Sequence, residues 1–192
     1  MFAALDPATE TTLRNLLAAY QNELETRDRY LAFADRADDD GHPGIASLFR
    51  AAAHAEDIHA KNQARVLHQM GVSVTADCSP CSVKGTLENL KSALTGENHE
   101  IASVYPAFIE EAAARINSTA ARSFVWALEA EKTHAQLYSE AIRLLESEAT
   151  DSWIGTARSF YVCPVCACTS HQPAGDNCTI CSFPADRAIA VA

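Results

Sequence analysis

Apolar positions recur every three to four residues through most of this chain, the mark of helices that bury one face. The first stretch runs from about Thr9 to Asp39. Its stripe reads Leu13, Leu16, Leu17, Tyr20, Leu24, Arg27 and Leu31, and Gly41 supplies the stop. A second helix opens near Pro43, a residue suited to a first turn, and ends before Gly71. Ile45, Leu48, Phe49 and Ala52 begin its apolar face, and Val66, Leu67 and Met70 close it. Residues 71–85 contain Gly, Pro, Ser and two cysteines without a helical period, and read as a long crossover. A third helix starts near Thr86, a good cap residue, with Leu87, Leu90, Leu94, Ile101, Val104 and Phe108 on one face. After a break at Asn117-Ser118 a fourth places Phe124, Ala127, Leu128, Tyr138, Ile142 and Leu145 together. The pattern predicts an all-α four-helix bundle over residues 1–150, a linker over 151–160 and a small cysteine-rich module over 161–192.

Charged residues interrupt these apolar stripes. Glu23 stands where the first helix calls for a leucine, and the second carries Glu56-Asp57-Ile58-His59 on its apolar face. The third carries Glu97-Asn98-His99-Glu100 and the fourth Glu131-Lys132-Thr133-His134. One Glu from each of two helices, with Glu-x-x-His from each of the other two, is the ligand set of a two-iron site in ferritin-like bundles, which also have a long crossover. Without metal, burying Glu23, Glu56, Glu97, Glu100 and Glu131 together costs several kcal/mol apiece. Two divalent ions would offset most of that charge. Carboxylates with two imidazoles suit iron or manganese better than calcium. Two ferrous ions can give one electron each, which matches the two electrons needed to cleave a peroxide. His99, two residues from Glu97, points to another face, and His42, His54, His68 and His171 read as surface residues. Tyr30 and Tyr105 are candidates to pack beside the metals.

Beyond the bundle, Cys163-Pro164-Val165-Cys166 and Cys178-Thr179-Ile180-Cys181 flank eleven residues. Paired Cys-x-x-Cys turns aim four sulfurs at one ion, and tetrahedral sulfur ligation selects zinc or iron. Alone, such a module reads as a structural zinc ribbon. Attached to a two-iron bundle that needs electrons, it reads as a single FeS4 centre, in which zinc could substitute.

Composition narrows the partners. Of 192 residues, 48% are hydrophobic, which suits a packed chain, and the net charge of -10 disfavours nucleic acid and anionic membranes. No apolar run approaches the roughly 20 residues that span a bilayer. The start lacks the basic and apolar regions of a secretory signal, so a cytoplasmic location is expected. There, seven cysteines favour metal or redox roles over structural disulfides.

From end to end the chain resembles rubrerythrin, a ferritin-like two-iron bundle followed by a rubredoxin-like domain. The resemblance rests on Glu23 with Arg27-Asp28-Arg29-Tyr30, on Glu56-Asp57-Ile58-His59-Ala60-Lys61, and on Leu87-Glu88-Asn89-Leu90-Lys91. Gly96-Glu97-Asn98-His99-Glu100 with Tyr105-Pro106, and Glu131-Lys132-Thr133-His134, complete it. Glu100 looks like the family's hallmark second carboxylate. The resemblance implies a peroxidase reducing hydrogen peroxide to water in oxidative-stress defence. One iron would be held by Glu23, Glu56, carboxylates on the Glu97 side and either Glu100 or His59, exchanging between the last two with redox state. The other would use Glu97, Glu131 and His134, with Glu56 and Glu131 as candidate bridges. Cys163, Cys166, Cys178 and Cys181 would hold the FeS4 iron, fed by a separate NAD(P)H-dependent reductase or rubredoxin. A homodimer or dimer of dimers is implied, head-to-tail or helix-swapped, in which one chain's FeS4 centre serves its partner's two-iron site. Two features depart from the family. Ala167 follows Cys166 where glycine is usual, with an extra thiol at Cys168, and the crossover carries Cys78 and Cys81, read either as a redox pair or as an inert loop. A ferroxidase or iron store, and a redox sensor or electron shuttle using Cys78, Cys81 and Cys168, stand as alternative functions.

Overall fold

A computed structural model describes residues 7–75, 81–113, 117–147, 152–173 and 175–192. Helices α1 (Pro7–Asp39) and α2 (Pro43–Gln69) form a long hairpin. The third rod is composite: α3 (Thr86–His99), a π-helical turn (Glu100–Val104) and α4 (Tyr105–Ala113), followed by α5 (Ser118–Glu146). Short 3-10 turns at Trp153–Gly155 and Ala185–Arg187 and strands β1 (Phe160–Val162), β2 (Thr169–Ser170) and β3 (Ile189–Val191) complete the chain. The strands form one antiparallel sheet in the order β2-β1-β3, with Val162 opposite Thr169 on one side and Ile189 on the other. Among the described residues no helix is long and apolar enough to cross a membrane.

The four-helix, ferritin-like architecture is as expected, but the phase of α1 is not. Leu17 and Leu31 are exposed, and the buried stripe runs through Leu16, Ala19, Glu23, Thr26, Tyr30, Phe33 and Ala37. That set keeps a 3.6-residue period, whereas the leucine-led stripe drifts around the helix. Thr86 is the first residue of α3 and not its cap, which is Gly85. The Thr86 backbone N–H and hydroxyl both donate to Asp40 Oδ2, at 3.0 and 2.7 Å, tying the crossover to the α1–α2 turn. Cys78 lies outside the described residues; Cys81 is exposed.

Two apolar clusters lie along the bundle. One joins Leu16, Val66, Tyr105, Phe124 and Ala127. The other joins Tyr30, Phe33, Phe49, Leu90 and Tyr138 and continues without a break into Ile154, Phe160, Val162 and Ala167. The cysteine module therefore shares the bundle's core, each buried phenylalanine or leucine adding about 1.5–3 kcal/mol. His171, expected at the surface, is half-buried with its ring 5.1 Å from Phe160 and 5.3 Å from Trp153 and Nε2 3.0 Å from Glu140. Gly44 lies where α2 meets the segment after α5: a Cβ there would stand 2.0 Å from the Trp153 carbonyl oxygen.

Candidate metal centres

Each acidic ligand candidate on the bundle is delivered by a helix face that is otherwise apolar. Glu23, Glu56, Glu97, Glu131, His59 and His134 are all at most 2% exposed, and Glu100 is 9% exposed. Their donor atoms fall into two overlapping quartets: Glu23, Glu56, His59 and Glu131, and Glu56, Glu97, Glu131 and His134. Every atom of a quartet lies within 4.8 Å of the others. Glu56 and Glu131 belong to both, the arrangement needed for carboxylates that bridge two ions. Glu97 joins only the second quartet, and Glu100 joins neither. Glu100 Oε1 instead accepts from Asn22 Nδ2 at 2.9 Å. His59 Nδ1 fills the first quartet, 2.9 Å from Glu56, 3.1 Å from Glu131 and 3.8 Å from Glu23.

The π turn explains how one rod supplies so many inward groups. From Glu97 to Tyr105 is eight residues, about 80° beyond two full α-helical turns. One extra residue in the widened turn removes most of that offset. Glu97, Glu100 and Tyr105 consequently all face the core, and all are buried.

The electrostatics fit a metal-binding pocket. Burial and the charges of neighbouring carboxylates push Glu56, Glu131 and Glu100 well above the usual carboxylate range. Burial would also raise Glu23, but hydrogen bonding and charge from His59, with help from Tyr105, hold it low. Burial alone would lower His59, yet Glu131, Glu23 and Glu56 raise it well above an ordinary imidazole. Glu56 Oε1 and Glu131 Oε1 are buried with no hydrogen-bond partner among the described residues. Buried acceptors without donors are rare, and divalent cations shared by the two quartets satisfy them.

A ring of hydrogen bonds orients the carboxylates. The Tyr30 hydroxyl donates to Glu97 Oε1 at 2.7 Å, and the Tyr105 hydroxyl donates to Glu23 Oε1. Burial and the adjacent carboxylates push both phenols well above their ordinary range, so they stay protonated donors. Gln63 Nε2 donates to Glu23 Oε1 at 3.2 Å and to the Tyr105 hydroxyl at 3.3 Å. Gln63 was missed from sequence, although four residues beyond His59 it continues that helix face. Asn22 had no such signal.

In the cysteine module, Cys163 and Cys181 sulfurs lie 3.5 Å apart and those of Cys166 and Cys178 3.4 Å apart. A disulfide would bring them to about 2.05 Å; a tetrahedron with 2.3 Å bonds has edges of about 3.8 Å. Tetrathiolate ligation fits. The two knuckles repeat one geometry. Cys163 N donates to Cys168 O and Ala167 N to Cys163 O; Cys178 N donates to Phe183 O and Ser182 N to Cys178 O. The residue after each second cysteine is left-handed, Ala167 at φ 66° and Ser182 at φ 62°. Ala167 thus occupies a conformation that favours glycine, but its buried methyl belongs to the shared core. Ser182 is exposed. Ser182→Gly should therefore relieve strain without losing packing, raising stability by up to about 1 kcal/mol, read as a higher midpoint in thermal melting. The extra thiol, Cys168, is half-buried beside the quartet and outside it.

The module meets the bundle at His134. Thr169 Oγ1 uses its own hydrogen on the Ala167 carbonyl at 2.9 Å, so it accepts from His134 Nε2 at 3.1 Å. This fixes the tautomer and leaves His134 Nδ1 free for metal. Thr169 N donates to Thr133 Oγ1 at 3.1 Å, and Asn62 Nδ2 to the Val165 carbonyl at 2.8 Å. The module of this chain thus seats against its own bundle.

A helical bundle holding a carboxylate–histidine two-iron site, joined to a rubredoxin-like iron site, defines a class of non-haem iron oxidoreductases. The sequence profile described as Rubrerythrin matches residues 14–142, and the chain belongs to the rubrerythrin family, whose two-iron proteins are generally linked to oxidative stress. It is 37% identical to Rubrerythrin-2 of Clostridium acetobutylicum over 174 residues, 90% of this chain and 92% of that one. It is 34% identical to nigerythrin of Nitratidesulfovibrio vulgaris over 188 residues, 97% and 89% of the two chains. The solved structure of nigerythrin in a mixed-valence state superposes with TM-score 0.84 at 33% identity, covering 93% of this chain and 86% of that one.

Proposed function

We propose that this protein reduces hydrogen peroxide to water, with electrons relayed to its two-iron site from its own FeS4 centre. The observation that supports this reading best is the seam at His134. Cys166 is bonded to Ala167, whose carbonyl accepts from Thr169, which accepts from His134. Two hydrogen bonds therefore separate the tetrathiolate knuckle from a ligand candidate of the two-iron site. An iron store has no use for such a connection.

In this reading Glu23, Glu56, Glu131 and His59 hold one iron, exchanging His59 for Glu100 with redox state. Glu56, Glu97, Glu131 and His134 hold the other, and Cys163, Cys166, Cys178 and Cys181 hold the FeS4 iron. When bound, the ferrous pair supplies the two electrons that, with two protons, convert one peroxide into two waters. The chain's own groups do the rest. Tyr30 and Tyr105 keep Glu97 and Glu23 in register and stand as proton donors at the edge of the site. The two apolar clusters exclude bulk water. An NAD(P)H-dependent reductase or rubredoxin would feed the FeS4 centre in the cytoplasm, and the assembly would be a homodimer or dimer of dimers. Residues 1–150 and 161–192 would carry the two centres, joined by 151–160.

Stopped-flow oxidation of anaerobically reduced, iron-loaded protein tests the reading. Peroxide at about two equivalents should restore the thiolate-to-iron colour much faster than O2 does. Slow return, or faster oxidation by O2, would turn the assignment toward a ferroxidase.

A further inference from the structure

The two halves of the carboxylate site are held very differently. His134 is tethered through Nε2 to Thr169. His59 Nε2 has no partner among the described residues, so its imidazole is not held from behind. On the same side, Glu100 stands outside both donor quartets, with Oε1 2.9 Å from the Asn22 amide. Asn22 belongs to α1, one residue before Glu23, and is half-buried, while Glu100 opens the π turn of the opposing rod. A buried carboxylate withdrawn from a metal needs a donor, and the structure supplies one.

We propose that Asn22 is a positioning residue that holds Glu100 in its withdrawn conformer, so that ligand choice at this half of the site is a competition between the Asn22 amide and the metal for one carboxylate. The inference rests on the ligand exchange in the functional reading above and adds the group that sets its balance. The charges agree. Reduction removes one positive charge from the ion, and exchanging anionic Glu100 for neutral His59 removes one negative charge from its ligands. Glu100 must then be accommodated without its metal bond, and donation by Asn22 accommodates it. The pairing stabilises the reduced arrangement and thereby raises the tendency of that ion to accept an electron.

Asn22→Leu keeps the approximate side-chain volume and removes the donor; Asn22→Gln retains an amide. The iron-loaded wild type and both variants are crystallised oxidised and reduced, and the potential of the two-iron site is measured by redox titration. Loss of this hydrogen bond should make the ratio of withdrawn to bound Glu100 in reduced N22L fall about tenfold. The corresponding drop in midpoint potential is about 59 mV for a one-electron step. N22Q should recover most of both. If wild-type Glu100 keeps the same contacts in both oxidation states, the exchange reading fails and the Asn22 proposal with it. If wild-type Glu100 exchanges, and N22L exchanges with unchanged ratio and potential, Asn22 alone is overturned.

Discussion

Glu131→Gln is expected to move apo and metal-loaded protein in opposite directions. Glu131 contributes to both donor quartets, so its loss as an anionic ligand weakens both ions together. A loss of about 3–5 kcal/mol of buried charge pairing corresponds to roughly 10²–10⁴-fold in metal affinity. Peroxide turnover should fall with occupancy, from two irons to at most one. The apo protein should instead become more stable. Burial and neighbouring Glu97 push the Glu131 carboxyl well above its usual value of 4.5, so in the folded metal-free chain its ionised form is penalised. A folded-state value above the unfolded one means that the penalty is absent below about pH 4.5 and grows as pH rises. The apo advantage of the glutamine variant should follow the same pH course. Thermal melts with and without iron, at several pH values, check both signs; an apo variant no more stable than wild type at neutral pH would refute the electrostatic account.

The second large effect lies far from the metals. A methyl group at Gly44 would stand 2.0 Å from the Trp153 carbonyl and 2.9 Å from both the Ile154 Cα and the Thr156 carbonyl. Backbone cannot yield as a flexible side chain can, so Gly44→Ala should force the Trp153–Gly155 turn off α2. Overpacking of this kind costs typically 1–3 kcal/mol, or a drop of roughly 2–12 °C in melting midpoint for a chain of this size. The module shifts with that turn, and the Thr169–His134 contact lengthens. The return of FeS4 colour after peroxide should slow at least about tenfold, a loss of some 1.4 kcal/mol of barrier stabilisation. Oxidation of the ferrous pair itself should keep its rate. Wild-type melting and relay rate in G44A would remove the seam from the mechanism.

Most of the site was legible because polar groups were planted in apolar helical stripes. A buried Glu at a leucine position has few structural uses, and four such interruptions on four helices converge on one pocket. Cys-x-x-Cys spacing is equally local. What sequence could not yield depends on tertiary contact or on backbone irregularity. The π turn leaves no composition mark in Glu100–Val104, yet it decides that Glu97, Glu100 and Tyr105 share a face. Leu17 and Leu31 misled because leucine identity outweighed strict period. His171 resembled a surface histidine until Trp153 and Phe160 packed around it. Thr169 carried no signal at all, since its partner lies 35 residues away.

Phe160, Val162 and Ala167 are part of the same apolar cluster as Phe49 and Tyr138. The metal-free chain is therefore expected to melt as one cooperative unit, with the cysteine knuckles and the helices opening together in a single thermal transition. Cys163, Cys166 and Cys178 are buried, so loss of iron alone should not expose their thiolates, and the folded module should keep His134 and its neighbouring carboxylates covered. Safekeeping of each centre is a property of the whole chain.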